Sequence, residues 1–147
     1  MGRILSIDYG RKRTGLAVTD PLQIVANGLT TVATPHLEAF LTDYIPREGV
    51  EMVVVGFPRQ MNGQMSESWR WVEPFLHRLH RLMPEMPIRL VDERFTSVLA
   101  QQVVRESGIG KRTREKNKGL VDEVSATIIL QTWMETRRGE EFPLKKQ

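Results

Sequence analysis

Residues 3–19, Arg-Ile-Leu-Ser-Ile-Asp-Tyr-Gly-Arg-Lys-Arg-Thr-Gly-Leu-Ala-Val-Thr, decide the fold. Two apolar runs, Arg3 to Asp8 and Thr14 to Thr19, flank a short turn that carries Gly10 and the basic residues Arg11, Lys12 and Arg13. Strand-like runs joined by a short Gly-containing turn predict a hairpin. A third strand is expected within Asn27 to Ala33, and three strands in close succession predict an antiparallel meander.

Beyond the meander the period changes. Leu37, Phe40, Leu41, Tyr44 and Ile45 recur at helical spacing and predict an amphipathic helix over 36–47. Met52 to Val55 is a continuous apolar run closed by Gly-Phe-Pro, the pattern of a strand buried on both faces. Ser66 is placed to cap a helix whose apolar face is Trp69, Val72, Phe75, Leu76, Leu79 and Leu82. Pro74 lies inside that pattern, so the helix is expected either to kink or to start late. Ile88 to Val91 reads as a fifth strand, and Thr96 or Ser97 as the cap of a helix that stops at Gly108. A basic loop over 108–118 precedes a last helix from about Leu120 to Arg138. The order β-β-β-α-β-α-β-α-α predicts an α/β domain, a mixed five-stranded sheet with helices on both faces. The domain is expected to span residues 1–138, leaving 139–147 as a flexible C-terminal tail.

Three acids fall at the ends of these elements. Asp8 closes the first strand, Glu93 follows the fifth, and Asp122 lies near the start of the last helix. In open α/β sheets ligands gather beyond the carboxyl ends of the parallel strands. Carboxylates are the hard oxygen ligands that Mg²⁺ and Mn²⁺ take, with positions left over for water and phosphate. Arg11, Lys12 and Arg13 on one side, and Lys111, Arg112, Arg114, Lys116 and Lys118 on the other, flank the expected acidic centre and are candidates for binding a phosphate backbone. Arg94, beside Glu93, is placed to pair with that acid or with substrate. Other residues read as ordinary structure. Trp69, Trp71 and Trp133 sit in helical patterns that favour full or partial burial over base stacking, His36, His77 and His80 lack metal-ligand spacing, and Asp20 before Pro21 is a turn residue.

At 147 residues the chain has the length of one domain with a sizeable core. Hydrophobic residues are 40% and charged residues 27%, as in soluble globular proteins, and the net charge is +3. The absence of cysteine excludes disulfides, thiol chemistry and zinc fingers, and with no signal-peptide pattern it points to a cytoplasmic protein. No apolar run approaches the ~20 residues of a membrane span.

Four segments are family-specific: Asp-Tyr-Gly-Arg-Lys-Arg-Thr-Gly-Leu-Ala-Val-Thr-Asp (8–20), Val-Val-Val-Gly-Phe-Pro (53–58), Asp-Glu-Arg-Phe-Thr-Ser (92–97) and Lys-Gly-Leu-Val-Asp-Glu-Val-Ser-Ala (118–126). In this order they resemble the YqgF family of bacterial proteins, from Gly2 to about Arg138. The resemblance implies an RNase H-like fold similar to that of the RuvC Holliday-junction resolvases. It also implies a metal-dependent nuclease acting in maturation of the 5′ end of 16S ribosomal RNA, with junction resolution as the alternative role. The family's acidic positions fall on Asp8, Glu93 and Asp122. Phe57 and Arg59 depart from the family pattern, and Pro74 is unusual within its helix. RuvC-type sites carry a fourth acid. The nearest candidate, Glu123, projects about 100° from Asp122 on an ideal helix, so three acids are expected to suffice.

Phosphodiester hydrolysis with this set would use two ions, Mg²⁺ or Mn²⁺, with Asp8 bridging them and Glu93 and Asp122 completing one shell each. The expected partner is nucleic acid, structured RNA or branched DNA, with no membrane association and a chain acting as monomer or weak homodimer. A non-catalytic nucleic-acid-binding module and an actin-like nucleotide binder are the competing classes. The latter shares the Asp-x-Gly hairpin but needs a second such domain. Two further expectations concern geometry: the three acids converge in space, and the 108–118 loop is mobile and clamps substrate by charge.

Overall fold

The computed structural model describes residues 2–57, 67–92 and 118–144. Within them β1 is Arg3–Asp8, β2 Arg13–Thr19, β3 Ala26–Ala33, α1 Leu37–Arg47, β4 Val50–Phe57, α2 Trp69–Leu82, β5 Ile88–Asp92, α3 Lys118–Thr136 and β6 Glu140–Phe142. A single turn of 3-10 helix, Thr34–His36, leads into α1. The strands form one sheet in the order β3-β2-β1-β4-β5-β6. β1, β2 and β3 are antiparallel neighbours, β1-β4 and β4-β5 are parallel, and β5-β6 is antiparallel. The expected meander and parallel units are therefore present, and the sheet is mixed.

Successive residues of a strand face opposite sides of the sheet. Leu5, Ile7, Leu16, Val18, Val53, Val55 and Leu90 pack with Leu37, Leu41 and Ile45 of α1 and with Val72, Phe75, Leu76 and Leu79 of α2. Ile4, Ala17, Val54 and Val91 pack on the other side with Ala126, Ile129, Leu130 and Trp133 of α3. Helices thus cover both faces, and the two cores differ in the size of their side chains.

Two expectations change. The sheet has six strands instead of five, because the segment expected to be loose from Gly139 contributes β6, registered Ile88↔Phe142 and Leu90↔Glu140. Phe142 is buried against the α1/α2 core, and an Arg89–Glu141 ion pair of 3.5 Å adds to it. Gly139 makes the turn into β6 possible: a Cβ there would lie 2.9 Å from the Leu90 carbonyl oxygen and 3.1 Å from the Trp133 ring. A three-residue edge strand with one apolar side chain shows no alternation to detect, which is why the sequence pattern misses it. The second change is at α2, which begins at Trp69 after Ser68, so Pro74 lies in its second turn. Of the tryptophans expected to be fully or partly buried, Trp133 is 7% exposed and Trp71 40% exposed. The helix expected after Thr96 and the basic loop of 108–117 lie outside the described residues.

Candidate active site

α3 runs antiparallel to β1 across the sheet face. Ser6 Oγ, on the same side of β1 as Ile4, donates a 2.7 Å hydrogen bond to the Ala126 carbonyl. Two residues further along a strand is about 6.6 Å, and four residues back along a helix is about 6 Å. The Ser6–Ala126 contact therefore brings Asp8 level with Asp122. β2 completes the placement. Gly15 is the register partner of Asp8. A Cβ on Gly15 would lie 2.0 Å from the Asp122 carbonyl oxygen and 2.8 Å from its Cβ. Only glycine lets the first turns of α3 lie this close to the sheet, and the consequence is that the Asp8 and Asp122 side chains share one face at the strand end.

Asp122 carries a 2.5 Å ion pair with Arg13 Nε, the two side chains being 22% and 42% exposed. Burial pushes the Asp122 carboxyl above its ordinary value, and the Arg13 hydrogen bond and charge pull it back only in part. The arginine is half in water, where a cation's attraction is screened, so desolvation of the half-buried acid wins. Gly10, Arg11, Lys12, Arg13 and Asp122 line a cleft of about 570 Å³.

The basic turn that forms this cleft is held from behind. Thr34 Oγ1 donates to the Gly10 carbonyl at 2.6 Å, Thr34 N–H to the Lys12 carbonyl at 3.0 Å, and the Thr14 and Thr34 hydroxyls are 2.9 Å apart. Tyr9 stacks on Phe75 with centroids 4.7 Å apart, and the Arg11 guanidinium lies 4.0 Å over the Trp71 ring. These brace residues, Thr14, Thr34, Tyr9 and Trp71, escape sequence reasoning. The hydroxyls have no motif, and Trp71 sits in a helical pattern indistinguishable from core.

Of the candidate residues, Asp8 and Asp122 are linked through Gly15, the register partner of Asp8 that packs against the Asp122 backbone, and Arg11, Lys12, Arg13 and Asp122 line the cleft. Arg11 and Arg13 carry intramolecular contacts there, to Trp71 and Asp122. β5 ends at Asp92, paired with Phe57 of β4, on the edge where Asp8 ends β1. Glu93, Arg94, Lys111, Arg112 and Arg114 lie outside the described residues, as does the side chain of Lys118, whose backbone opens α3. Among the described residues no three His, Cys, Asp or Glu side chains are grouped to hold a metal ion. Glu123 turns away from the pair toward β3, with Thr31 Oγ1 donating to its Oε1 at 3.4 Å. Asp20 is a turn residue as expected: its carboxylate accepts the backbone N–H groups of Leu22, Ile24 and Val25, which lower its pKa.

Comparison with known proteins fits this arrangement. Residues 2–136 match the model of a family described as RuvX, Holliday junction resolvase. A protein of Bacteroides fragilis named "Putative pre-16S rRNA nuclease" is 55% identical over 138 residues, 94% of this chain and 99% of its own. A Porphyromonas gingivalis protein of the same name is 58% identical over 135 residues, 92% of this chain and 97% of its own. Among solved structures, Thermus thermophilus RuvC in complex with a Holliday junction substrate superposes with a TM-score of 0.57 at 16% identity, covering 97% of this chain and all of that one. At that identity the likeness shows the fold, which is RuvC-like and thus RNase H-like. With the family model spanning residues 2–136 and relatives more than half identical along nearly their full length, the chain belongs to the RuvX family, the YqgF family its motifs resemble.

Proposed function

We propose that this chain is a metal-dependent nuclease that hydrolyses phosphodiester bonds in the 5′-end processing of precursor 16S ribosomal RNA. The observation that carries the reading is Gly15, the cross-strand partner of Asp8, packed against the Asp122 backbone, beside a cleft lined by Arg11, Lys12, Arg13 and Asp122. The relatives' names supply the substrate.

The donor chemistry fits a divalent cation. Asp8 and Asp122 offer only hard oxygens, the ligands that such a cation takes. Asp8, Asp122 and Glu93 would be the carboxylates that hold Mg²⁺ or Mn²⁺. When bound, such ions polarise the phosphate and make a water nucleophilic at neutral pH. The chain's own part is positional. The glycine contact and the Ser6–Ala126 bond hold α3 against β2 and β1, the strand that ends in Asp8. Lys12 and Arg13 place positive charge where the scissile phosphate's neighbours enter. Arg94 and the basic residues of the 108–118 segment, which lie outside the described side chains, are the further cations proposed to bind substrate. The protein acts as a monomer or weak homodimer in the cytoplasm. Among the described residues no helix is long and apolar enough to cross a membrane.

Cleavage of a four-way DNA junction is the second reading, favoured by the family's description as a junction resolvase. One assay decides between them: precursor 16S RNA and a four-way junction, each with Mg²⁺, Mn²⁺ or EDTA. Metal-dependent trimming of the RNA 5′ end, with the junction left intact, is the expected result. Symmetrical nicking of the junction alone would replace it with the second reading. Inactivity on both under every metal condition would remove the enzyme assignment.

A further inference from the structure

Trp71 lies near the start of α2 and is 40% exposed, while Val72, Phe75, Leu76 and Leu79 of the same helix are buried. The Arg11 guanidinium sits 4.0 Å over its ring and the Arg70 guanidinium 5.4 Å away. Arg11 reaches the ring from the turn that lines the cleft with Lys12, Arg13 and Asp122. A large π-face thus stands one side chain away from the candidate active site, with cations on and beside it.

Each part has an ordinary explanation alone. Single exposed aromatics are common, and an arginine over an indole braces a turn. Magnitudes separate the readings. A guanidinium on an exposed ring is worth about a two- to five-fold preference. A nucleobase stacked on an aromatic side chain is worth on the order of five- to hundred-fold. A base therefore displaces Arg11 from the ring, and the freed guanidinium gains a charge-assisted contact to a phosphate of the same strand. The turn does not collapse when Arg11 leaves, because Tyr9 on Phe75 and the Thr34 bonds to Gly10 and Lys12 hold it independently.

We infer that Trp71 is a stacking platform for one unpaired nucleobase beside the cleft, with Arg11 passing from the ring to the backbone phosphate. The site then takes a single-stranded or frayed end in preference to a closed duplex. The inference rests on the nuclease reading only in requiring that the basic cleft binds nucleic acid.

The test is direct binding in EDTA, which separates it from cleavage. Ten-nucleotide single strands of RNA and of DNA, intact or with abasic positions, are titrated against wild type, Trp71→Phe and Trp71→Leu. Binding is read by anisotropy and by tryptophan fluorescence. Wild type is expected to bind with quenching. Trp71→Phe keeps the affinity within about two-fold but loses the quenching, and Trp71→Leu binds roughly five- to thirty-fold more weakly. Removing bases weakens wild type by a similar factor and leaves Trp71→Leu unchanged. The RNA and DNA arms identify which strand supplies the base, and the effect in either arm supports the platform. Intact and abasic strands binding wild type equally would overturn it, and this comparison holds even if a variant folds poorly. No binding by wild type in either arm would remove the platform, while the nuclease reading is decided by the cleavage assay with metal. Tight binding with no Trp71 or abasic effect would remove the platform alone.

Discussion

The two faces of the sheet are built differently. The α1/α2 face is filled by large side chains, with Leu5, Ile7, Leu41, Phe75, Leu76 and Leu79 at 1% exposure or less. The α3 face presents Ser6, Gly15 and Ala17 where the helix crosses, and the helix approaches until a Gly15 Cβ would overlap the Asp122 backbone. Large interdigitated groups give burial, and small groups give proximity. The first face supplies stability, and the second fixes where a carboxylate sits.

That difference can be broken from either side. The largest effect is expected at the acid pair. Asp8→Asn keeps the shape but removes a ligand charge, and losing several kcal/mol of transition-state stabilisation lowers the cleavage rate by on the order of 10³-fold, with the melting temperature almost unchanged. Wild-type rates in a nuclease-free preparation of this variant would place the chemistry elsewhere. Gly15→Ala comes next. It forces α3 from the sheet, and a displacement near 1 Å lowers activity by roughly 10²-fold. The stability loss is smaller than for a truncation in the opposite core.

Leu79→Ala is that truncation. It should cost about 2–5 kcal/mol by denaturant unfolding, while the rate per folded molecule stays close to wild type. If Leu79→Ala lost activity in step with Gly15→Ala at temperatures where both are folded, the division of labour between the faces would be wrong.

A smaller effect tests the meander. Backbone N–H groups hold the Asp20 carboxyl below its ordinary pKa. A group whose folded pKa is depressed adds stability at pH above its unfolded value and loses it as pH falls through the folded one. Asp20→Asn should therefore be less stable than wild type at neutral pH, and the gap should close below the ordinary value of 3.8. A gap that persists unchanged at pH 2 would mean that the carboxylate's charge plays no part. The smallest expected effect lies in the basic segment. Neutralising Lys111, Arg112 and Arg114 should weaken binding across all sequences and flatten the log–log salt dependence by about 0.7–0.9 per lost phosphate contact. An unchanged slope would make the segment solvated surface.

The meander and the parallel units were legible because their periods are unambiguous: Ile4–Leu5–Ile7 and the Val53–Val55 run admit one reading. Asp8 and Asp122 stood out because each acid ends or opens an element. The convergence of the three acids is an expectation from sheet topology; what the structure adds is Gly15, register partner of Asp8, packed against the Asp122 backbone. What the pattern hid depends on packing between distant segments. The Thr14–Thr34 hydroxyl pair, the Tyr9–Phe75 stack and the Arg13–Asp122 ion pair join residues far apart in sequence and leave no periodic trace. Trp71 reads as fully or partly buried, because helical spacing marks a face without saying whether anything covers it.

β6 carries a consequence for how the molecule behaves in concentrated solution. A strand without a neighbour offers a ladder of free amides and carbonyls to any other chain. By lying along β5, Glu140–Phe142 occupies that ladder with a segment whose two glutamates face water and whose phenylalanine is tucked inward. Ending the chain at Arg138 would expose the margin of a strand that holds Ile88, Leu90 and Val91. The shortened protein should then self-associate and precipitate, even though every proposed site residue is still present.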